Sequence, residues 1–139
     1  LGAPVGSALA GSQDFISEAR RFRKQFGGGM RQAGIIAAGA LYALENNRER
    51  LTIDHDNAKL FAKGLSDING IEINHDEVET NIINFCVQGK TINELIEKLN
   101  NQGTHVLPKD HITIRAVTNL MVSESQINIA LDHVRNAMA

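Results

Sequence analysis

The stretch from Arg31 to Leu65 contains no proline, and its first part, the ten residues IIAAGALYAL from Ile35 to Leu44, is apolar nearly all the way round a helix. A helix without a polar face has to be covered on more than one side, so this segment predicts a helix buried between layers. From Glu45 onward the run becomes charged and amphipathic, and Asn46-Asn47 marks a break or kink. Residues 31–65 therefore read as one long helix or as two in series.

The flanking elements follow from local signals. Residues 1–11 carry glycine and proline early, then Val5 to Leu9 as a short strand candidate. Ser12 is a good N-cap for a helix over 13–26. Phe15, Ile16, Ala19, Phe22 and Phe26 give that helix one apolar face, and Gly27, Gly28 and Gly29 end it. After Gly64 the composition turns strand-like at 71–73 and 80–87. Thr91 or Asn93 opens a helix to Asn101, with Gly103 as its C-terminal stop. His105 to Leu107 and His111 to Val117 read as strands around a turn through Pro108, Lys109 and Asp110. Ser123 with Gln126 fits a capping box for a last helix, whose apolar face is Ile127, Ile129, Ala130, Leu131 and Val134. The order predicts an α/β chain in two parts. Residues 1–66 form the edge of a larger layered domain, including the long connecting helix, and 67–139 form a small α+β unit of ββαββα order.

Charge and composition exclude several classes. A formal net charge of −2 argues against non-specific nucleic-acid binding. No apolar segment approaches the roughly 20 residues that span a bilayer. The apolar N-terminal residues lack the basic region of a signal peptide, so a cytoplasmic, soluble protein is expected. The single cysteine, Cys86, lies in an apolar run and reads as a buried strand thiol. His55, His75, His105, His111 and His133 show no metal-ligand spacing. His55, between two aspartates, reads as solvated, while His105 and His111 flank the strand turn near Arg115.

Residues 20–34, RRFRKQFGGGMRQAG, carry the most functional information. Arg20, Arg21, Arg23 and Lys24 run into the three glycines, and Arg31 then opens the next helical segment. Glycines that accept positive φ, followed by the unpaired N–H groups of a helix start, suit a phosphate or carboxylate. The alternative is a flexible turn with a solvated basic face.

The strings LGAPVGS at Leu1, GGGMRQAG at Gly27 and IRAVTNLMVS at Ile114 occur in one order along the chain. Together they resemble the low-specificity L-threonine aldolases, pyridoxal-phosphate enzymes of the aspartate-aminotransferase type (fold type I). The resemblance covers essentially all of the chain but only the C-terminal portion of the family. It implies that the Schiff-base lysine lies immediately upstream of Leu1, whether through cleavage, truncation or a modified lysine interrupting the chain. The cofactor-stacking histidine and the aspartate on the pyridine nitrogen are likewise upstream, so no catalytic residue is expected here and the isolated chain is expected to be inactive.

What the resemblance does place within the chain are binding residues. Arg115 matches the arginine that fixes the substrate carboxylate, a task suited to a fork that binds through two parallel N–H groups and stays charged. Without the resemblance it would read as an exposed strand arginine. Arg31 matches an arginine near the cofactor phosphate, reaching from a neighbouring subunit, and Lys24 a lysine at the same entrance. Gly27, Gly28 and Gly29 would set the close approach. The family commonly has His and Asp where this chain has Asn119 and Met121, which removes any carried-over role from those two positions. The activity implied is cleavage of L-threonine and L-allo-threonine to glycine and acetaldehyde, with pyridoxal 5'-phosphate as cofactor, a β-hydroxy amino acid as substrate, and a dimer or tetramer completed by the N-terminal part of the same enzyme. The alternatives are another pyridoxal enzyme of this fold (hydroxymethyl transfer, β-elimination or racemisation) and a non-catalytic interaction module. The module reading predicts a self-sufficient fold, whereas the enzyme reading predicts an exposed apolar surface around Ile35 to Leu44.

Overall fold

The computed structural model describes residues 1–139 and resolves into two compact units, Leu1–Arg48 and Glu49–Ala139. The first contains α1 (Gln13–Gln25) and α2 (Gly34–Asn46). The Ser12 hydroxyl accepts the Phe15 N–H at 3.4 Å and starts α1 as the sequence predicts. Residues 1–10 form no strand, because a lone extended segment in this unit has no neighbour to complete its hydrogen bonds. They lie along α2 instead. Asn47 Nδ2 donates to the Leu1 carbonyl at 2.6 Å, and Pro4 packs where a Cβ on Gly39 would sit 3.0 Å from its ring. The apolar helix α2 buries only Ala43, leaving Ile35 78%, Leu41 56%, Tyr42 65% and Leu44 51% exposed. The surface predicted by the enzyme reading is therefore present in this chain.

The second unit is a four-stranded sheet with helices against one face. It comprises α3 (Leu51–Ser66), β1 (Ile71–Glu72), a 3-10 turn at His75–Glu77, β2 (Ile82–Val87), α4 (Ile92–Asn101), β3 (Leu107–Pro108), β4 (Thr113–Val117) and α5 (Glu124–Met138). The strand order is β1-β2-β4-β3, antiparallel throughout, with Asn84 opposite Arg115 and Leu107 opposite Arg115 on its other side. Period-two alternation sends Ile83, Phe85, Val87, Ile114 and Ala116 inward, where they meet Phe61 and Leu65 of α3, Leu95 and Leu99 of α4, and Leu131 and Val134 of α5. Phe61 meets Phe85 edge-on, with centroids 6.5 Å apart.

The predicted break at Asn46-Asn47 separates α2 from α3. The compact units divide at Arg48/Glu49, ahead of the 66/67 boundary suggested by sequence, because α3 spends its apolar face on the small sheet. Ile129, expected in the apolar face of α5, is 51% exposed. It lies about 200° round the helix from Ile127, whereas Leu131 and Val134 fall at the i+4 and i+7 positions that share its face. Cys86 is half-buried on the outward side of β2, 3.6 Å from the Thr113 hydroxyl, and not a core thiol. His55 is likewise half-buried.

The predicted capping box of Ser123 with Gln126 forms at α5, and Thr91, one of the two candidate starts of α4, makes a second with Glu94. The Thr91 N–H donates to the Glu94 carboxylate at 3.1 Å, and this bond, followed by the Thr91 hydroxyl, holds Glu94 below the usual glutamate range. A depressed carboxylate stabilises the fold above its unfolded-state pKa and loses that contribution as pH falls through the folded value. Glu94→Gln should therefore be less thermally stable than the parent at about pH 7, with the difference shrinking toward about pH 3 in a Tm-versus-pH series.

Gly64 of α3 is a packing device. A Cβ there would overlap the Leu131 methyl groups, and Leu131 is only 4% exposed and has nowhere to move. Helix propensity alone would favour alanine by about 1 kcal/mol. Overpacking should win, with Gly64→Ala destabilising by about 1–2 kcal/mol in urea unfolding and Gly64→Ala/Leu131→Ala costing less than the two single changes summed.

Candidate functional site

The basic-glycine segment belongs to the first unit, and the structure shows what its glycines do. Gly27 takes φ +79°, its N–H donates to the Lys24 carbonyl at 3.3 Å, and the Gly28 N–H donates to the Arg23 carbonyl at 2.8 Å. These are the two bonds of a Schellman closure, so Gly27 and Gly28 satisfy the last carbonyls of α1 and do not offer their N–H groups to an anion. Arg31 does not open the next helix. It sits in a turn, followed by Gln32 at φ +51°, and α2 starts at Gly34 without a side-chain cap.

The cations, by contrast, are available. Lys24 folds over Gly29, where a Cβ would lie 3.1 Å from its Cδ and 3.5 Å from its Nζ. Lys24 and Arg31 are exposed and make no ion pair or side-chain hydrogen bond. Arg21 stacks over Phe22 at 5.4 Å. The sequence-predicted residues Lys24, Gly27, Gly28, Gly29 and Arg31 thus lie along one stretch, from the last turn of α1 to the turn that precedes α2. Two free cations beside a tight glycine turn are a donor set that fits a phosphate ester, through side-chain charge more than through backbone N–H groups.

Arg115 belongs to the second unit. It lies mid-strand on β4 and points out from the open face of the sheet, with no carboxylate partner. Its cross-strand neighbours are Asn84 and Leu107, and Ile82 opposite Val117 completes the same surface. Ile82 (37%), Val117 (44%) and Leu107 (67%) are all partly or largely exposed. The arrangement is an uncompensated guanidinium between an amide and apolar side chains, suited to bidentate recognition of a carboxylate.

Two cavities of the second unit do not include Arg115 in their lining. One, of about 350 Å³, lies at the start of α4 between Thr91, Asn93, Lys109, Asp110 and His111. The Asp110 carboxylate in it accepts the Ile112 N–H at 2.9 Å, which holds it below the usual aspartate range. The other, of about 310 Å³, lies behind β4 among Phe61, Ile83, Ala116, Thr118 and Ile127. Two histidines are held by side-chain bonds: His105 Nδ1 pairs with Asn100 Oδ1 and His133 Nδ1 with the Thr104 hydroxyl, each at 2.8 Å. Asn119 bonds its own turn, accepting the Met121 N–H at 2.9 Å.

Sequence reasoning missed the polar residues that hold the end of β4. Thr118 is 3% exposed and Asn57 4%. Thr118 is the threonine of the VTNLMVS string, and Asn81 stands just before β2, so the only signal was their position next to recognised elements.

Comparison with known proteins assigns the class. The family described as Beta-eliminating lyase matches residues 1–88, and the chain belongs to that family. Its fold is that of the fold-type-I pyridoxal-phosphate enzymes. Across 99% of its length it is 40% identical to Low-specificity L-threonine aldolase 1 of Arabidopsis thaliana, of which it covers 39%. Over its full length it is 40% identical to the low specificity L-threonine aldolase of Escherichia coli (strain K12), of which it covers 40%. Among solved structures, DesI in the presence of its TDP-sugar product superposes on 74% of this chain with a TM-score of 0.61 at 16% identity, over 35% of its own length. The chain therefore spans about two-fifths of the curated relatives it matches.

Proposed function

We propose that the complete protein is a pyridoxal-phosphate-dependent threonine aldolase, an aldehyde-lyase cleaving L-threonine and L-allo-threonine to glycine and acetaldehyde, and that this chain supplies its carboxylate and phosphate contacts. The observation that carries the reading is the unpaired Arg115 guanidinium on the open face of the sheet, in a chain 40% identical to low-specificity L-threonine aldolases. Residues 1–66 would complete the large cofactor-binding domain, with α3 as the connecting helix, and 67–139 would form the small domain.

Pyridoxal phosphate, when bound, supplies the electron sink for breaking the Cα–Cβ bond. This chain's residues orient and neutralise. Arg115 grips the substrate carboxylate through both guanidinium arms and so fixes rotation about the bond to Cα. Arg31 neutralises phosphate charge, its loop reaching a neighbouring subunit's site, and Lys24 adds positive charge at the entrance. Gly29 gives Lys24 room to lie flat, while Gly27 and Gly28 turn the loop. The lysine that would hold the cofactor would be supplied by the rest of the complete protein, of which the chain spans about two-fifths by comparison with its relatives. A cytoplasmic homodimer or homotetramer fits an active site assembled across subunits.

A second reading, β-elimination, is favoured by the description of the matching family. Combining this chain with the N-terminal part should release acetaldehyde from L-threonine, while L-serine should yield little pyruvate. No release above blank from two folded parts would sink the aldolase reading, and dominant pyruvate would favour elimination. In the complete enzyme, Arg115→Lys keeps the charge but loses the fork. It should raise KM for L-threonine roughly tenfold or more, read from initial rates.

A further inference from the structure

We propose that Thr118 is a positioning residue for substrate binding, acting through the strand that carries Arg115; this rests on Arg115 being the carboxylate ligand. Thr118 follows β4 directly and is buried, and all three of its polar groups are engaged. Its N–H donates to the Asn81 carbonyl at 3.0 Å, its carbonyl accepts the Asn81 side-chain amide at 2.8 Å, and its hydroxyl donates to the Asp54 carbonyl at 2.6 Å. Asn57, one turn further along α3, donates to the Val122 carbonyl at 2.9 Å and holds the far end of the same loop. The Asp54 carboxylate is itself buried and pairs with Arg50 at 3.3 Å, which fixes that turn of α3.

This arrangement exceeds what a strand end requires. The reciprocal pair with Asn81 would close the ladder between β2 and β4 unaided. The hydroxyl bond adds a link from the end of β4 to helix α3, three residues beyond Arg115. An open sheet face leaves Arg115 with no ion pair to hold its direction, so the tilt of its strand sets where the fork points. Small displacements of a positioning group cost large factors in binding and rate.

The experiment uses the complete enzyme with L-threonine and four variants. Thr118→Val keeps the shape and removes the donor. It should raise KM about tenfold with kcat changed less than about twofold, and Thr118→Ser, which restores the hydroxyl, should return KM close to the parent. A merely structural loss would instead lower the active fraction, and hence apparent kcat, at unchanged KM. If Thr118→Val does not fold, Asn81→Ala, at a half-buried position, reads the same lock. A KM rise supports the proposal, and a parental KM in folded protein overturns it. Arg115→Gln separates the two levels. If it raises KM while folded Thr118→Val does not, the Thr118 role alone falls. If it leaves KM unchanged, the carboxylate assignment falls and the proposal with it.

Discussion

The covering of one face of a four-stranded sheet, and only one, governs the second unit. Ile83, Phe85, Ile114 and Ala116 alternate inward against α3, α4 and α5, so their neighbours Ile82, Asn84, Arg115 and Val117 must point the other way. A one-residue slip in the β2–β4 register would exchange the two sets, burying a guanidinium and exposing the core. The inward packing of Phe61 on Phe85 and of Leu131 over Gly64 therefore decides, at a distance, that Arg115 is presented outward. Apolar neighbours beside it thin the water around the charge, and a charge-assisted bond made there is stronger than one in bulk solvent.

Much of this was legible in the sequence, and the reasons are local. Ser12, Thr91 and Ser123 act as caps because their hydroxyls reach the N–H three residues on, a geometry that depends on nothing distant. The Asn46-Asn47 break, the Gly103 stop and the outward direction of Arg115 are legible for the same reason. What sequence missed depended on partners far along the chain. Val5 to Leu9 has strand composition but no strand to pair with, and Cys86 shares its apolar surroundings with the core while alternation turns it outward. The assignment of α3 followed from length and charge, whereas its packing is decided by contact with β2 and α5.

The triple glycine shows how one motif can carry two kinds of information. Its spacing after a basic helix suggested a backbone anion cradle, yet a Schellman closure consumes the N–H groups of Gly27 and Gly28. The physical demand met first is that of α1, whose terminal carbonyls need donors whether or not an anion is present. What remains for a ligand is charge. Lys24 lies over Gly29 and Arg31 projects from a turn, neither paired with an acid. Any phosphate recognition in this loop is therefore dominated by side chains, which makes it more sensitive to salt and to the Arg31 side chain than a backbone nest would be.

Arg115, in the middle of β4, and Thr118, just past its end, answer to different constraints. Arg115 is exposed and unpaired, so nothing in the folding of this unit requires an arginine there. Thr118 is buried and fully bonded, and any residue that left those partners unmet would cost stability. A ligand-binding arginine on an open surface has to be free of internal partners in order to bind, and for the same reason it cannot hold its own direction. The order it lacks must come from the backbone beneath it. In this chain the backbone beneath Arg115 is tied, three residues further on, to α3 by the Thr118 hydroxyl and to β2 by a reciprocal pair with Asn81.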